Sequence, residues 1–233
     1  MANILFTAAG DAIAPKEIRR RIAGFGHSYF DAVQRIIRDS VKLDREGEVC
    51  FVKCASLILR NFKMTRSGPF KVKASQSRLL HNCWEAVGDH LTRIRASVPE
   101  SGPSRERFLL GLDGSGREEL VSDIWLITKR LLPFTMGKTS YGLVGASKIL
   151  FAALPEVVLP IDNSQWLHVF KTVDMGDVIR GMVRDIQDWE SATGEKLNQT
   201  DDSGVLTTLP SVYNVIAMAA RPKIEEARYP RFT

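Results

Sequence analysis

The chain has 233 residues, 44% of them hydrophobic and 25% charged, which is the composition of a folded protein with a sizeable core. Its net charge of +5 is compatible with a polyanionic partner but does not require one. No apolar run approaches the roughly 18 residues of a membrane span, and the N-terminus lacks the basic start of a signal peptide. The composition therefore argues against membrane proteins and predicts a cytoplasmic protein.

Three cysteines, Cys50, Cys54 and Cys83, argue for a reducing compartment and against a disulfide framework. Cys50 and Cys54 share one helix face and are interpreted as a buried apolar pair. A structural zinc ion needs about four ligands, and the four scattered histidines supply no such spacing. We therefore expect no metal and no cofactor.

Helical periodicity dominates the chain. Apolar residues three and four apart predict helices around 29–37, 75–97, 120–131, 178–189 and 209–220. Ser75 is a candidate N-cap for the second of these helices, and Pro210 suits the first turn of the last.

Turn residues predict loops at 98–104, 111–116 and 198–204. Strand signals are confined to two short stretches, 68–73 and 157–161. The sequence therefore predicts an all-α, two-lobed fold. A single domain would cover 1–233, with lobes at 1–100 and 105–233.

Residues 134–166 carry the most informative pattern. A turn containing Gly137 and Gly142 leads into an apolar helix that ends before Pro155. A short apolar run then brings one acid, Asp162, to the start of another helix. Two lysines, Lys138 and Lys148, lie upstream of this acid.

These parts fit one mechanism. Glycine turns and helix starts present backbone N–H groups that can hold a DNA phosphate. A single carboxylate near a sugar C1′ can stabilise the charge that develops when an N-glycosidic bond breaks. A desolvated lysine could attack the same carbon and form a Schiff base.

The segment resembles the helix-hairpin-helix DNA glycosylases, most clearly over Val144–Trp166, and the likeness covers a third to half of the chain. Gly137-Lys138-Thr139 looks like the lysine–threonine step of the archaeal 8-oxoguanine glycosylases. Bacterial relatives of that branch include anti-phage enzymes that remove glucosylated hydroxymethylcytosine. Since no cysteine follows Cys83, the iron–sulfur cluster of some members is not expected.

The resemblance implies a monomeric enzyme that acts on double-stranded DNA, flips out a modified base and leaves an abasic site, in DNA repair or in defence against phage. Asp162 would be the catalytic acid. Lys138 is the preferred nucleophile, with Lys148 second and a lysine-free enzyme still open. An oxidised purine and a phage-modified base are both open as substrates.

The remaining candidates concern DNA contacts. The stretch 61–73 holds four cations and no acid around the turn at Gly68, which predicts a loop that contacts phosphate. The candidates for base binding are Trp125, Phe134, Tyr141 and Trp166, and those for DNA binding are Gly137, Gly142, Gly145, Lys63, Arg66, Lys71 and Lys73.

Two further interpretations of the function stay open. One is a non-catalytic helix-hairpin-helix DNA-binding module, and the other is a helical protein with no nucleic-acid partner.

Overall fold

The computed structural model describes residues 3–62, 64, 68–71, 73–137 and 142–222. Across these residues the regular structure is helical and no strand forms, which confirms the all-α prediction. The α-helices of the described ranges are α1 (Pro15–Ala23), α2 (His27–Asp39), α3 (Leu43–Glu46), α4 (Glu48–Asn61), α5 (Lys73–Ser97), α6 (Gly102–Glu106), α7 (Phe108–Gly111), α8 (Gly114–Thr135), α9 (Leu143–Ala153), α10 (Met175–Thr193) and α11 (Leu209–Ala219).

The five helices predicted from periodicity correspond to α2, α5, α8, α10 and α11. Their apolar stripes face inward: Val33 and Ile36 of α2 and Trp189 of α10 are fully buried. Pro210 does lie in the first turn of α11. The predicted cap at Ser75 is wrong, because α5 already begins at Lys73.

Two of the predicted loops are shorter than expected. Residues 102–106 form α6 and residue 114 already begins α8, so Gly102 and Gly114 are the first residues of helices. The side chain of Asp113 caps α8 by accepting a hydrogen bond from the N–H of Gly116 at 2.7 Å. The stretch 68–73, predicted to be extended, holds a turn and the first residue of α5 in its described part.

One hydrophobic core runs through residues from both predicted lobes. Helix α9 lies at its centre, packed against α4 and α8, and every residue from Gly145 to Ala153 is buried. The chain then stays buried from Leu154 to Ile161 without forming a helix or strand. This second buried segment carries the backbone through the interior to Asp162.

Glu156, within that segment, is completely buried between two arginines. Its carboxylate accepts hydrogen bonds from Arg95 Nη1 at 2.8 Å and from Arg105 Nε at 2.5 Å. Arg105 also donates to the carbonyl oxygen of Ile37. A buried carboxylate requires such compensation, so this triad fixes the course of the segment against α5, α6 and α2.

The helices of the described ranges lack the combination of length and hydropathy that crossing a lipid bilayer requires.

Candidate active site: Lys148 and Asp162

Lys148 occupies a position in α9 that would ordinarily hold an apolar residue. Only 3% of its surface is exposed. Its Nζ lies 4.8 Å from the ring centroid of Phe62, the residue that follows α4. No hydrogen-bond acceptor in the described residues lies within bonding distance of this nitrogen. In the part of the chain that is described, the amine therefore lies against an aromatic face and has no ion-pair partner in contact with it.

Burial lowers the pKa of Lys148 to about 8, because the charged form loses its hydration. The negative charge of Asp162 acts in the opposite direction and limits the fall. At pH 7 about a tenth of these amines is therefore neutral, whereas an exposed lysine is almost wholly protonated. A neutral amine is the nucleophilic form.

The segment that carries Asp162 is joined to α9 by a buried hydrogen bond. The hydroxyl of Ser147 accepts a hydrogen bond from the N–H of Ile161 at 3.1 Å, and both residues are fully buried. Lys148 follows Ser147 and Asp162 follows Ile161. The bond therefore ties the residue before Asp162 to the turn of α9 that carries Lys148, and the charge of Asp162 acts on the amine from this position.

Asp162 also caps the helix that follows it. Its Oδ1 accepts a hydrogen bond from the N–H of Gln165 at 2.8 Å, and its own N–H donates to Gln165 Oε1 at 2.9 Å. Its Oδ2 is paired with Arg221 Nη1 at 2.5 Å. Residues 163 and 164 are helical, as predicted, and the helix continues with the wider π geometry over Gln165–Phe170.

A second layer of buried polar side chains lies behind Asp162. The amide of Gln165 donates from Nε2 to Asn214 Oδ1 at 3.0 Å, and Asn214 Nδ2 donates to the hydroxyl of Tyr29 at 2.7 Å. Burial raises the pKa of Tyr29 well above its usual range, so the phenol stays protonated. None of these three residues was a candidate from the sequence, since they lie far apart in the chain and carry no motif.

An aromatic cluster adjoins the lysine. Tyr29 packs edge-to-face against Phe62 with ring centroids 5.6 Å apart, and against Phe25 at 5.1 Å and Phe30 at 6.2 Å. Phe62 thus touches Tyr29 on one side and the amine of Lys148 on another. The aromatic candidates predicted from the sequence lie elsewhere in the chain, between residues 125 and 166.

The structure places the predicted base-binding aromatics in different environments. Trp166 is 4% exposed, and its indole Nε1 has no hydrogen-bond partner in the described residues. Trp125 and Phe134, both in α8, are half-buried, and the Trp125 ring lies 5.7 Å from Lys129 Nζ. None of the described aromatic candidates is seen in ring contact with Lys148, whose aromatic neighbour is Phe62.

The hairpin glycines serve helix packing. Gly142 caps α9 with a positive φ of 81°, and a Cβ there would lie 2.7 Å from Thr135 Oγ1. A Cβ on Gly145 would lie 2.9 Å from Thr135 Cβ and 3.3 Å from Phe70. Both positions therefore need glycine for α9 to approach α8. Their predicted contact with DNA stays a prediction.

Some candidates lie outside the described residues: Lys138, Tyr141, Lys63 and Arg66. Lys73 begins α5, but its side chain is likewise outside what is described. Lys71 is exposed, and Gly137 lies half-buried just past the end of α8.

The cysteines are free and buried, as predicted for Cys50 and Cys54. In the part of the chain that is described, no group of three or more His, Cys, Asp or Glu side chains could hold a metal ion.

Comparison with protein-family models, with curated proteins and with solved structures found no match to this chain.

Proposed function

We propose that this protein is a DNA glycosylase that flips a modified base out of duplex DNA and cleaves its N-glycosidic bond. The observation that carries the proposal is the buried amine of Lys148, which lies within range of the charge of Asp162. Burying a lysine costs free energy, and an apolar residue would pack α9 better. A perturbed amine next to an acid is typical of a catalytic site.

In this proposal the neutral amine of Lys148 attacks C1′ of the flipped nucleotide, and the C1′–N bond to the base breaks. The base leaves with the bonding electrons and takes up a proton that the attacking nitrogen releases. The sugar ring then opens as O4′ gains a proton, which leaves a Schiff base between C1′ and Lys148. Asp162 stabilises the positive charge that develops at C1′ and accepts protons in transit.

The proposal takes Lys148 as nucleophile ahead of Lys138, which the sequence favoured. Lys148 has the burial and the lowered pKa that the chemistry requires, and an acid whose charge acts on its amine. In this arrangement α8 and α9 are the two helices of a helix-hairpin-helix element, and residues 138–141 lie between them. The net charge of +5 suits a phosphate-rich partner.

Reductive trapping on duplex DNA with one abasic site tests the amine without knowledge of the base. Cyanoborohydride should yield a covalent adduct with the wild type and none with Lys148→Met. The matched control is Lys129→Met, which removes an exposed lysine of α8 and should leave trapping unchanged. Adduct that persists in Lys148→Met but is lost in Lys138→Ala would return the role to Lys138.

The substrate itself is approached by mass spectrometry of bases released from oxidised, alkylated and glucosylated phage DNA. Asp162→Asn should reduce release by about a hundredfold or more while DNA binding persists. The absence of base release from every DNA would contradict the glycosylase proposal.

A second candidate function is a DNA-binding module without catalysis. The observation that favours it is the full engagement of Asp162, whose two oxygens bind the N–H of Gln165 and the guanidinium of Arg221. A carboxylate so placed can serve as a helix cap alone. Under this alternative, Asp162→Asn would leave DNA affinity intact. Neither the wild type nor this variant would release a base or form an adduct.

A further inference from the structure

A continuous series of contacts runs from the amine of Lys148 to the backbone of Asp162. The amine faces Phe62 at 4.8 Å, and Phe62 packs on Tyr29. From Tyr29, hydrogen bonds run through Asn214 and Gln165 to the backbone N–H of Asp162. The members of the series, in order, are Lys148, Phe62, Tyr29, Asn214, Gln165 and Asp162.

Asn214 forms hydrogen bonds to Gln165 on one side and to Tyr29 on the other. Its carbonyl oxygen accepts from Gln165 Nε2 at 3.0 Å, and its amide nitrogen donates to Tyr29 at 2.7 Å. It is completely buried in α11, as Gln165 is in the π-helical turn. The carboxamide of Asn214 therefore joins the helix of the acid to the aromatic cluster of α2.

We propose that Asn214 is a positioning residue that fixes the position of Asp162 relative to the amine of Lys148, acting through Gln165. This role rests on the proposed function in taking Asp162 as the catalytic acid. The geometry on which it stands is the chain of hydrogen bonds, which exists whatever the substrate.

The hydrogen bonds of Asn214 fix the orientation of the Gln165 amide. Gln165 can cap Asp162 only while its Oε1 points toward the N–H of that residue. Asn214 fixes this direction, because it accepts a hydrogen bond from the other end of the same amide. Without that acceptor, Gln165 Nε2 would be a buried donor without a partner, and the amide would turn to find another.

Arg221 also binds Asp162, but it is a weaker constraint on direction. Its side chain is 34% exposed and follows α11 near the end of the described residues. A half-exposed arginine can move with the carboxylate that it pairs with. The buried amides cannot do so, since their partners are fixed in helices.

The test measures the titration of Lys148 in the full-length protein, by NMR with carbon-13-labelled lysine and assignment from Lys148→Met. Asp162 raises the pKa of this amine, so a carboxylate that turns away should lower it. We expect a midpoint near 8 in the wild type. We expect it about 1 pH unit lower in Asp162→Asn and about 0.5 unit lower in Asn214→Leu.

Ser211→Ala is the matched control. Ser211 is equally buried one turn earlier in α11 and bonds only to the carbonyl of Thr208 in the described structure, so its loss should leave the midpoint unchanged. Gln165→Met provides a second variant should Asn214→Leu fail to fold, and its midpoint should fall by a similar amount. A general loss of stability would lower the folded fraction without moving this midpoint.

The positioning role would be overturned if the titration midpoint of Lys148 shifted in Asp162→Asn but kept its wild-type value in folded Asn214→Leu or Gln165→Met. An unchanged Lys148 midpoint in Asp162→Asn would overturn the role as well, since the acid would then not act on the amine. Trapping on abasic DNA is measured separately. Failure of the wild type to form an adduct would count against the proposed function and leave the titration to decide the role of Asn214.

Discussion

The hydroxyl of Ser147 accepts a hydrogen bond from the backbone N–H of Ile161 at 3.1 Å and lies 3.1 Å from the carbonyl oxygen of the same residue. This side chain thus binds the backbone of a segment fourteen positions away in the chain. Each partner directly precedes a candidate catalytic residue. The relative position of Lys148 and Asp162 depends on this contact.

Ser147→Ala should therefore affect both stability and the site. It leaves the N–H of Ile161 buried without an acceptor, which should lower the free energy of unfolding by about 1–3 kcal/mol. The yield of adduct on abasic DNA should fall by more than the loss of folded protein explains, because Asp162 moves relative to Lys148. Urea unfolding and adduct yield measure the two effects.

Ser122→Ala is the control for that prediction. Ser122 is exposed on α8 and donates to the carbonyl of Glu118, so its loss should change stability by less than about 0.5 kcal/mol. Equal stability of Ser147→Ala and Ser122→Ala would show that the Ile161 contact contributes nothing.

Lys148→Met should stabilise the protein while it abolishes trapping. The amine has a folded pKa of about 8, below the ordinary value of 10.5 for a lysine, so the charged form is disfavoured in the folded state. An uncharged side chain of similar volume removes that cost, and the free energy of unfolding at pH 7 should rise by about 1–3 kcal/mol.

The pH dependence has a definite sign. Between pH 8 and 10.5 the unfolded chain binds this proton and the folded protein has lost it, so wild-type stability should rise with pH relative to Lys148→Met. The free energy of unfolding of Lys148→Met exceeds that of the wild type, and this excess should narrow by about 3 kcal/mol between pH 8 and pH 10.5. Lys129→Met, at an exposed position, should show neither effect. A destabilised Lys148→Met would contradict the assigned cost of burial.

The sequence predicted the helices well because their signal is local. A stripe of Val33 and Ile36 repeats at helical spacing, and burial of that stripe is what stabilises α2. The first residue of a helix is less predictable: Ser75 suits a cap chemically, yet the chain enters α5 two residues earlier.

The candidate site was predictable only in part. Asp162 and Lys148 stand in one segment, and the pattern around them is continuous. Tyr29 and Asn214 are 185 residues apart, and only the packing of α2 near α11 brings them together. A buried asparagine or tyrosine has no local pattern that separates it from an ordinary core residue, so no signal in the sequence indicated either.

The buried carboxylate of Glu156 should be essential to the fold. Both of its oxygens bind arginines that are themselves nearly inaccessible to water. Glu156→Gln would leave two buried guanidinium groups without a counter-charge, and the free energy of unfolding should fall by about 3–5 kcal/mol. Thermal and urea unfolding measure this loss.

The matched comparison is Glu100→Gln, which removes the carboxylate that pairs with Arg45 at the surface. Both of those side chains are more than 60% exposed, so the change should cost less than about 1 kcal/mol. A similar small loss in Glu156→Gln would show that water reaches the triad.

Asp185 should make stability depend on pH in the mildly acid range. Its carboxylate is buried and accepts hydrogen bonds from the N–H of Ile4 at 2.9 Å and from the hydroxyl of Tyr213 at 2.8 Å. Burial raises its pKa to about 6, with a smaller contribution from the charge of Asp188. The folded protein therefore holds this proton more tightly than the unfolded chain does.

It follows that protonated Asp185 stabilises the fold below about pH 4, and that this contribution is lost as the pH rises through 6. Asp185→Asn cannot titrate, so the stability of the wild type relative to this variant should fall by about 3 kcal/mol between pH 4 and pH 7. Urea unfolding at several pH values gives this difference directly and cancels the carboxylates that both proteins share. Asp188 is exposed on the same helix, so the stability of the wild type relative to Asp188→Asn should hardly change with pH. A flat difference for Asp185→Asn as well would mean that the folded carboxyl titrates at its ordinary pH, with water or a proton donor at its second oxygen.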